Sequence, residues 1–591
     1  MVSTSPSIPG RAISLGSRSA AVERLRAAVF DVIVVGGGIT GAGIALDAAT
    51  RGLKVALIEK GDFASGTSCR STKLVHGGLR YLAQYRFRLT REALSERSLL
   101  QRLAPHLVEP IPFLFPIYNK RTEVWRVNTG LWLYDLMAGL RRTKVHRKLS
   151  RQSVLQRVPQ LNPAGLRAGF VYYDARTDDA RLVIEVLKSA VDYGATVANY
   201  LNAERIVNDG GRATGVVVRD SFNGETFTIG ARKVVVATGV WLDQILAASN
   251  ANDQSLKRKR VRPAKGVHII VPHHRIESDS AIAFPTPDNR LMFVIPWQGA
   301  TLIGTTDTDY DGPLDNPRAD RRDLDYLLNV VNAAFPGANL TDDDVISIQA
   351  GLRPLIDSGE ETTAAVSRED RVFEIPDGTI AIAGGKLTTY RRMGRKVVDL
   401  VVQRLKAEGQ LRGKLRSRTG DIRIGGYPEQ KRHRLGRLTG LIRRHRNGTA
   451  FVPPLLVSPS TAKRLWRSYG ANWQELLRLV GENPKLGEPI VPGVDVIWAE
   501  VLWAVRHEMA QSLLDVLGRR THLAQLDRHQ GLNVVEGVAR LIAPELGWDE
   551  EEIQLQVKRY RRDVEQFAVA PLREPRGASA HDAAIGESGN D

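Results

Sequence analysis

Cysteine is almost absent: Cys69 is the only one in 591 residues. No intramolecular disulfide can form, and a metal site built on several thiolates is excluded, so no metal is expected. Long apolar runs are missing too. None reaches the ~18 residues that a membrane-crossing helix needs. Acidic residues fall short of balance, with 65 Asp+Glu against 83 Lys+Arg and a formal charge of +18. That field favours an anionic partner: a phosphorylated metabolite, anionic lipid or nucleic acid. The excess is clustered at 141–148, 257–262 and 431–446. No RNP, zinc-finger or helix-turn-helix pattern accompanies it, so nucleic acid is not expected. The N-terminal stretch has no continuous apolar segment and reads as a Ser-rich tail rather than a secretory signal. A cytoplasmic location, or the inner face of the cell membrane, is expected.

The length exceeds what one hydrophobic core usually serves, which points to two or three domains. The first is announced by "FDVIVVGGGITGAGIALDAATRGLKVALIEKGD" (Phe30–Asp62). A β-branched run fits a buried parallel strand. Gly36, Gly38 and Gly41 then supply G-x-G-x-x-G for a tight turn, close approach to a pyrophosphate and close helix packing. Ile39 and Thr40 open the helix, whose free N–H groups face the anion. The second strand ends at Glu59, placed for the ribose hydroxyls, with Lys60 beside it. The motif indicates a dinucleotide but does not separate NAD from FAD.

Two later strands end in comparable junctions, at Gly239 and at "IAGGKLTTYRRM" (382–393). A second helix N-terminus entered through Gly384 and Gly385 suits a flavin, which extends beyond its pyrophosphate. There the helix dipole can stabilise negative charge on the ring. The chain holds only one G-x-G-x-x-G, so one FAD with electrons supplied by the organic substrate is the simplest reading.

The segments "KLVHGGLRYL", "KGVHIIVP", "GTTDTDYDG", "GLRPL" and "GGKLTTYR" follow the fingerprint in order. Together they closely resemble FAD-dependent glycerol-3-phosphate dehydrogenases, a family within the D-amino-acid-oxidase-like flavoproteins. The resemblance runs from about Asp31 to about Leu526. It implies hydride transfer from C2 of sn-glycerol 3-phosphate to FAD, giving dihydroxyacetone phosphate, with reoxidation by a membrane quinone or, in oxidase relatives, by oxygen. An amino-acid or sarcosine-type oxidase of the same group is the alternative chemistry.

Carried over by motif, the resemblance implies substrate contacts at Arg80, Tyr81, His268, Thr305, Arg353 and Lys386. It implies further cofactor contacts at Ser68, Ser71, Thr72, Lys73, His76, Gly77, Gly385, Lys386, Leu387 and Thr388. The chemistry agrees. Guanidinium forks suit a phosphate dianion. A lysine at a helix N-terminus opposes the dipole, so Lys386 suggests an anion nearby. Thr305 reads equally as a ligand or a turn cap. His268 is the candidate general base, kept neutral by Lys265 and neighbouring cations; an arginine-activated group is the other possibility. Arg353 and Lys386 complete the catalytic set.

The fold expected is α/β: a Rossmann-like FAD domain (29–80, 181–260 and 351–411), an interleaved antiparallel-sheet substrate domain (81–180 and 261–350) and a helical C-terminal domain (412–570). Disordered tails are expected at 1–28 and 571–591. The segment 124–148 suits either an interfacial helix on an anionic membrane surface or a helix packed under the substrate domain. The basic stretch 431–446 is a second membrane candidate. The C-terminal domain would serve membrane contact or a homo-oligomer.

Overall fold

The computed structural model describes residues 14–83, 85–118, 121–139, 144–249, 259–288, 290–357, 359, 369–425, 456–569 and 572. The basic stretch 431–446, residues 1–13 of the expected N-terminal tail and residues 573–591 of the C-terminal one lie outside the described residues, as does part of each of the other two basic runs. Within the expected tail 1–28, Arg18–Ala27 is a helix that buries Ala21, Val22 and Leu25, so disorder does not extend to residue 28.

The first layer is a six-stranded sheet ordered Asp370–Glu374, Ile380–Gly384, Val234–Val236, Val32–Val35, Val55–Ile58, Thr196–Ala198. All its pairs are parallel except the edge hairpin formed by the first two strands. Val32–Val35 is buried on both faces, as a continuous Val/Ile run requires when both sides of the sheet are covered. Helices Ile39–Thr50, Asp179–Asp192 and Tyr390–Ala407, packed side by side, cover one face. Gly41 lets the first helix sit against the turn that precedes it: a Cβ there would collide with the carbonyl oxygen of Gly36. A separate four-stranded sheet (Val29–Phe30, Leu201–Asp209, Arg212–Asp220, Thr226–Ala231) flanks this layer.

The second layer is a ten-stranded sheet, antiparallel except where Ala281–Pro285 runs parallel to Glu109–Tyr118. Near one edge Val261–Pro272 pairs with Ala300–Gly304 on one side and with Ser347–Ile356 on the other. Residues 351–356 therefore belong to this sheet, and the boundary expected at 351 falls inside a strand. Strand alternation sends Val267, Ile269 and Val271 to one face, where they pack on Leu324, Leu327 and Val331 of helix Arg321–Ala334. His268 and Ile270 take the other face, toward the cofactor layer.

The third part is helical, from Pro459–Tyr469 through Glu550–Val564. It includes a π-helical turn, Asp515–Arg520, whose two arginines reach back to Asp62 just beyond the second nucleotide-site strand. The expected class holds: an α/β cofactor layer, an interleaved largely antiparallel sheet and an α-helical C-terminal region.

Candidate active site

Two cavities meet where the layers meet. The larger, about 490 Å³, runs from Gly36, Gly38, Ile39 and Thr40 past Glu59 and Lys60 to Gly384–Leu387. The smaller, about 170 Å³, is lined by Arg70, Thr72, His76, Tyr81, His268 and Arg353 among others. Thr67, Pro354, Gly384, Gly385, Lys386 and Leu387 belong to both walls.

In the larger cavity the helix Ile39–Thr50 presents its N-terminus. Gly38 occupies the cap position, and the Ile39 N–H donates to Ser68 Oγ at 3.0 Å. Glu59 accepts from the N–H groups of Gly37 (2.7 Å) and Gly61 (3.0 Å). Burial raises its carboxyl above the ordinary range despite those bonds. Lys60 pairs with Asp315 and stands 4.3 Å over the Trp241 ring, so its charge is already engaged. At the far end Gly384 (φ +73°) and Gly385 (φ +91°) turn the chain into Leu387–Thr389 and then the helix Tyr390–Ala407. FAD fits this shape. A ribose-facing carboxylate, a pyrophosphate-facing helix end and a second helix start lie along one trough. Thr238 Oγ1 and Trp241 Nε1, on residues that line it, are buried with no hydrogen-bond partner among the described residues.

The smaller cavity gathers cations. Lys386 Nζ lies 3.7 Å from the Tyr81 ring centroid, held on a π-face. Arg353 donates to Asp307 Oδ1 (3.0 Å), Thr305 Oγ1 (2.9 Å) and the Thr306 carbonyl (3.1 Å). Thr305 thus holds Arg353 and does not itself line either cavity. Arg70 donates to the Ala350 carbonyl (3.1 Å) and to Gln566 Oε1 (2.8 Å) of the C-terminal part. His268 Nε2 meets the Thr72 hydroxyl at 3.0 Å. The ring is 2% exposed. Burial first, then the Arg353 and Lys73 charges, push it down to about 3, so it is neutral at physiological pH. Lys265 is not the cause: it projects to the opposite face, where Asp320 (3.0 Å) and Asp323 (2.7 Å) pair with it.

Of the residues expected at the cofactor, Gly36, Gly38, Ile39, Thr40, Glu59, Lys60, Ser68, Gly239, Gly385, Lys386 and Leu387 line the larger cavity. Ser71, Thr72, His76 and Thr388 line the smaller one, with Tyr81, His268 and Arg353. Gly41, Lys73 and Gly77 line neither. Lys73 is buried against Asp179 and the Cys69 carbonyl, and the Gly77 N–H donates to Asp174. Thr388 Oγ1 accepts from the His76 N–H at 3.2 Å. Arg80 lies in the short helix Leu79–Ala83, but its side chain is outside the described ones. Sequence reasoning missed Thr67, Arg70, Asp307 and Trp241. Arg70 was within reach, two residues before Thr72 in a loop already singled out.

A nucleotide-binding parallel sheet coupled to a substrate sheet across a shared cavity wall defines a flavin oxidoreductase. Residues 31–400 match the family described as FAD dependent oxidoreductase, and residues 417–553 match the C-terminal domain of alpha-glycerophosphate oxidase. Glycerol-3-phosphate dehydrogenase 2 of Mycobacterium bovis is 40% identical over 94% of this chain and 92% of its own length. Aerobic glycerol-3-phosphate dehydrogenase of Bacillus subtilis is 37% identical over 88% and 92%. The crystal structure of glycerol-3-phosphate dehydrogenase from Bacillus halodurans complexed with FAD superposes with a TM-score of 0.73 at 33% identity, covering 95% of this chain and all of that one. The chain belongs to the FAD-dependent oxidoreductase family, and its cofactor is FAD.

Proposed function

We propose that the protein oxidises sn-glycerol 3-phosphate to dihydroxyacetone phosphate and delivers the electrons to a membrane quinone. The observation that carries the substrate reading is the composition of the small cavity: Arg70, Arg353 and Lys386 line it, beside a buried neutral histidine. A phosphate dianion needs that cation excess, and an alcohol needs that base. The names of the relatives point the same way.

FAD, when bound, supplies the hydride acceptor. Arg353 and Lys386 hold the phosphate, with Thr305 and Asp307 fixing the Arg353 fork and Tyr81 seating Lys386. His268 Nε2 accepts the C2 hydroxyl proton as the C2 hydrogen leaves as hydride. Pocket walls shared with the cofactor cavity keep the reacting carbon within the cofactor's reach.

The acceptor reading rests on the surface. On helix Arg121–Ala138, Leu131, Tyr134 and Ala138 face inward, while Trp125 (72%), Trp132 (56%) and Leu136 (75%) are exposed on the outer side. Tyr85, in the turn before the neighbouring helix Phe87–Leu103, and Phe87, at the start of that helix, are also exposed. No helix among the described residues is long and apolar enough to cross a membrane. An outward aromatic face of this kind suits the headgroup boundary of an anionic bilayer.

The test is anaerobic mixing of the yellow holoprotein with sn-glycerol 3-phosphate, following the flavin band near ~450 nm, then addition of a quinone analogue or air. Prompt bleaching, reversed faster by quinone than by oxygen, is expected. Reversal as fast by air would make the protein an oxidase. An unbleached flavin would overturn the substrate reading and direct the search to amines and amino acids.

A further inference from the structure

His268 stands in a row of register partners, with Gly304 on one neighbouring strand and Gln349 on the other. Such partners project from the same face with Cβ atoms about 4.5–5.5 Å apart. The ring's orientation within that row is defined. A Cβ on Gly304 would collide with His268 Cδ2 and come within 3.0 Å of Nε2. That edge therefore overlies Gly304, and the opposite edge, which carries Nδ1, is turned to the Gln349 side.

Nδ1 is buried and has no hydrogen-bond partner among the described residues, and the same is true of both Oε1 and Nε2 of Gln349. Gln349 is 3% exposed. Burying an amide with neither end satisfied is costly. Its strand neighbours Ile348 and Ala350 fill the opposite face with apolar groups, so packing alone gives no reason for an amide here.

We propose that Gln349 is a positioning residue for His268: its Oε1 accepts the Nδ1–H, leaving Nε2 as the lone-pair nitrogen that faces the pocket. This rests on the reading of His268 as the base. Thr72 then donates its hydroxyl to Nε2 in the resting enzyme, and the substrate hydroxyl takes over that position. As the C2–H bond breaks and its hydride leaves for FAD, the O–H proton moves to Nε2 and the C2–O bond becomes a carbonyl. The resulting imidazolium keeps its Nδ1–H on Gln349. An amide fixes the tautomer without raising the ring's basicity as a carboxylate would. The charges around the ring come from Arg353 on its own sheet, Lys73 and Arg70 on the loop before strand Leu74–Val75, and Lys386 across the cavity. The nearby carboxylates Asp307 and Asp179 are already paired with Arg353 and Lys73.

The test uses holoenzyme and the rate constant of anaerobic flavin bleaching at saturating glycerol 3-phosphate across pH. Gln349→Glu should move the acid limb upward by about one pH unit or more, because a carboxylate facing Nδ1–H favours the charged ring. Gln349→Met, of similar volume, should slow bleaching by about tenfold or more with flavin content and KM little changed. In oxidised holoenzyme labelled with 15N-histidine, the ring signal lost in His268→Asn should read as Nδ1-protonated, and as mixed tautomers in Gln349→Met. A limb unmoved in Gln349→Glu and an unchanged tautomer in Gln349→Met, with His268→Asn losing the limb, would sink the Gln349 role and leave the base assignment standing. If His268→Asn keeps both limb and rate, the base assignment falls and the Gln349 role goes with it.

Discussion

The molecule buries charge in two places and treats it differently. Between the cofactor layer and the helical C-terminal part, Arg181, Lys188, Arg519 and Arg520 meet Asp62, Glu185, Glu508 and Asp515, four cations to four anions at 9% side-chain exposure or less. Burial alone would raise the Asp62 carboxyl; the Arg520 and Arg519 charges more than offset it and hold it below the ordinary range. Glu508 is held at about 2 in the same way, burial being outweighed by Arg181 and Lys188. In the small cavity, by contrast, Arg70, Arg353 and Lys386 line one space, and of these Arg353 pairs with the carboxylate Asp307 while Arg70 rests on neutral acceptors and Lys386 on the Tyr81 ring. Matched charge is committed to holding the parts together. The cations gathered at the cavity are the ones to which the proposed function assigns a phosphate.

The sharpest way to break this contrast is Asp62→Asn, which strands Arg519 and Arg520 beside too little negative charge. It should cost about 3–5 kcal/mol, seen as a large fall in the thermal midpoint or loss of soluble protein. A shift under about 1 kcal/mol would mean that the cluster is wetter than its burial suggests. In the cavity, Arg353→Lys should spare folding and flavin content but weaken glycerol 3-phosphate by roughly tenfold to a hundredfold, the loss of about 1.5–3 kcal/mol of forked, charge-assisted bonding. An unchanged KM would remove Arg353 from the phosphate site.

Each region also holds a buried neutral histidine at about 3: His106, depressed by burial and then by Arg181 and Lys188, and His268, depressed by burial and then by Arg353 and Lys73. The unfolded chain protonates such a ring near ~6.5, while the folded one does not until about 3. Their contribution is therefore fully present above ~6.5 and is lost as pH falls through that window. His106→Gln should flatten the acid-side slope of chemical denaturation measured between those values. Smallest is the surface effect. Trp125→Ser with Leu136→Ser should leave bleaching untouched and reduce co-sedimentation with anionic vesicles; undiminished sedimentation would move the membrane contact elsewhere.

What was legible in the sequence follows from how local each feature is. The first nucleotide site is contiguous from Val32 to Glu59, and its strand, glycines, helix and acid can be read in one pass. Lys386 was noticed because it follows a strand end and two glycines, and Arg353 because Pro354 follows it, although Arg353 lies inside its strand and not at the end. Lys73 was not: its partner Asp179 lies 106 residues away, so a buried structural pair looked like a cofactor contact. Lys265 failed for a simpler reason, since a one-residue step along a strand reverses the face. Gln349 could not be seen at all. Its meaning comes from the register that sets it opposite His268, and nothing in "VISIQAGLRP" announces that.

Arg70 has one further consequence. It bridges the pocket strand to Gln566, in a turn just after the last long helix, Glu550–Val564. During synthesis the cofactor sheet is complete some 180 residues before that turn emerges. The reactive pocket is thus among the last features to be finished. A chain cut short before Glu550 lacks Gln566 and with it this anchor of Arg70 at the pocket wall.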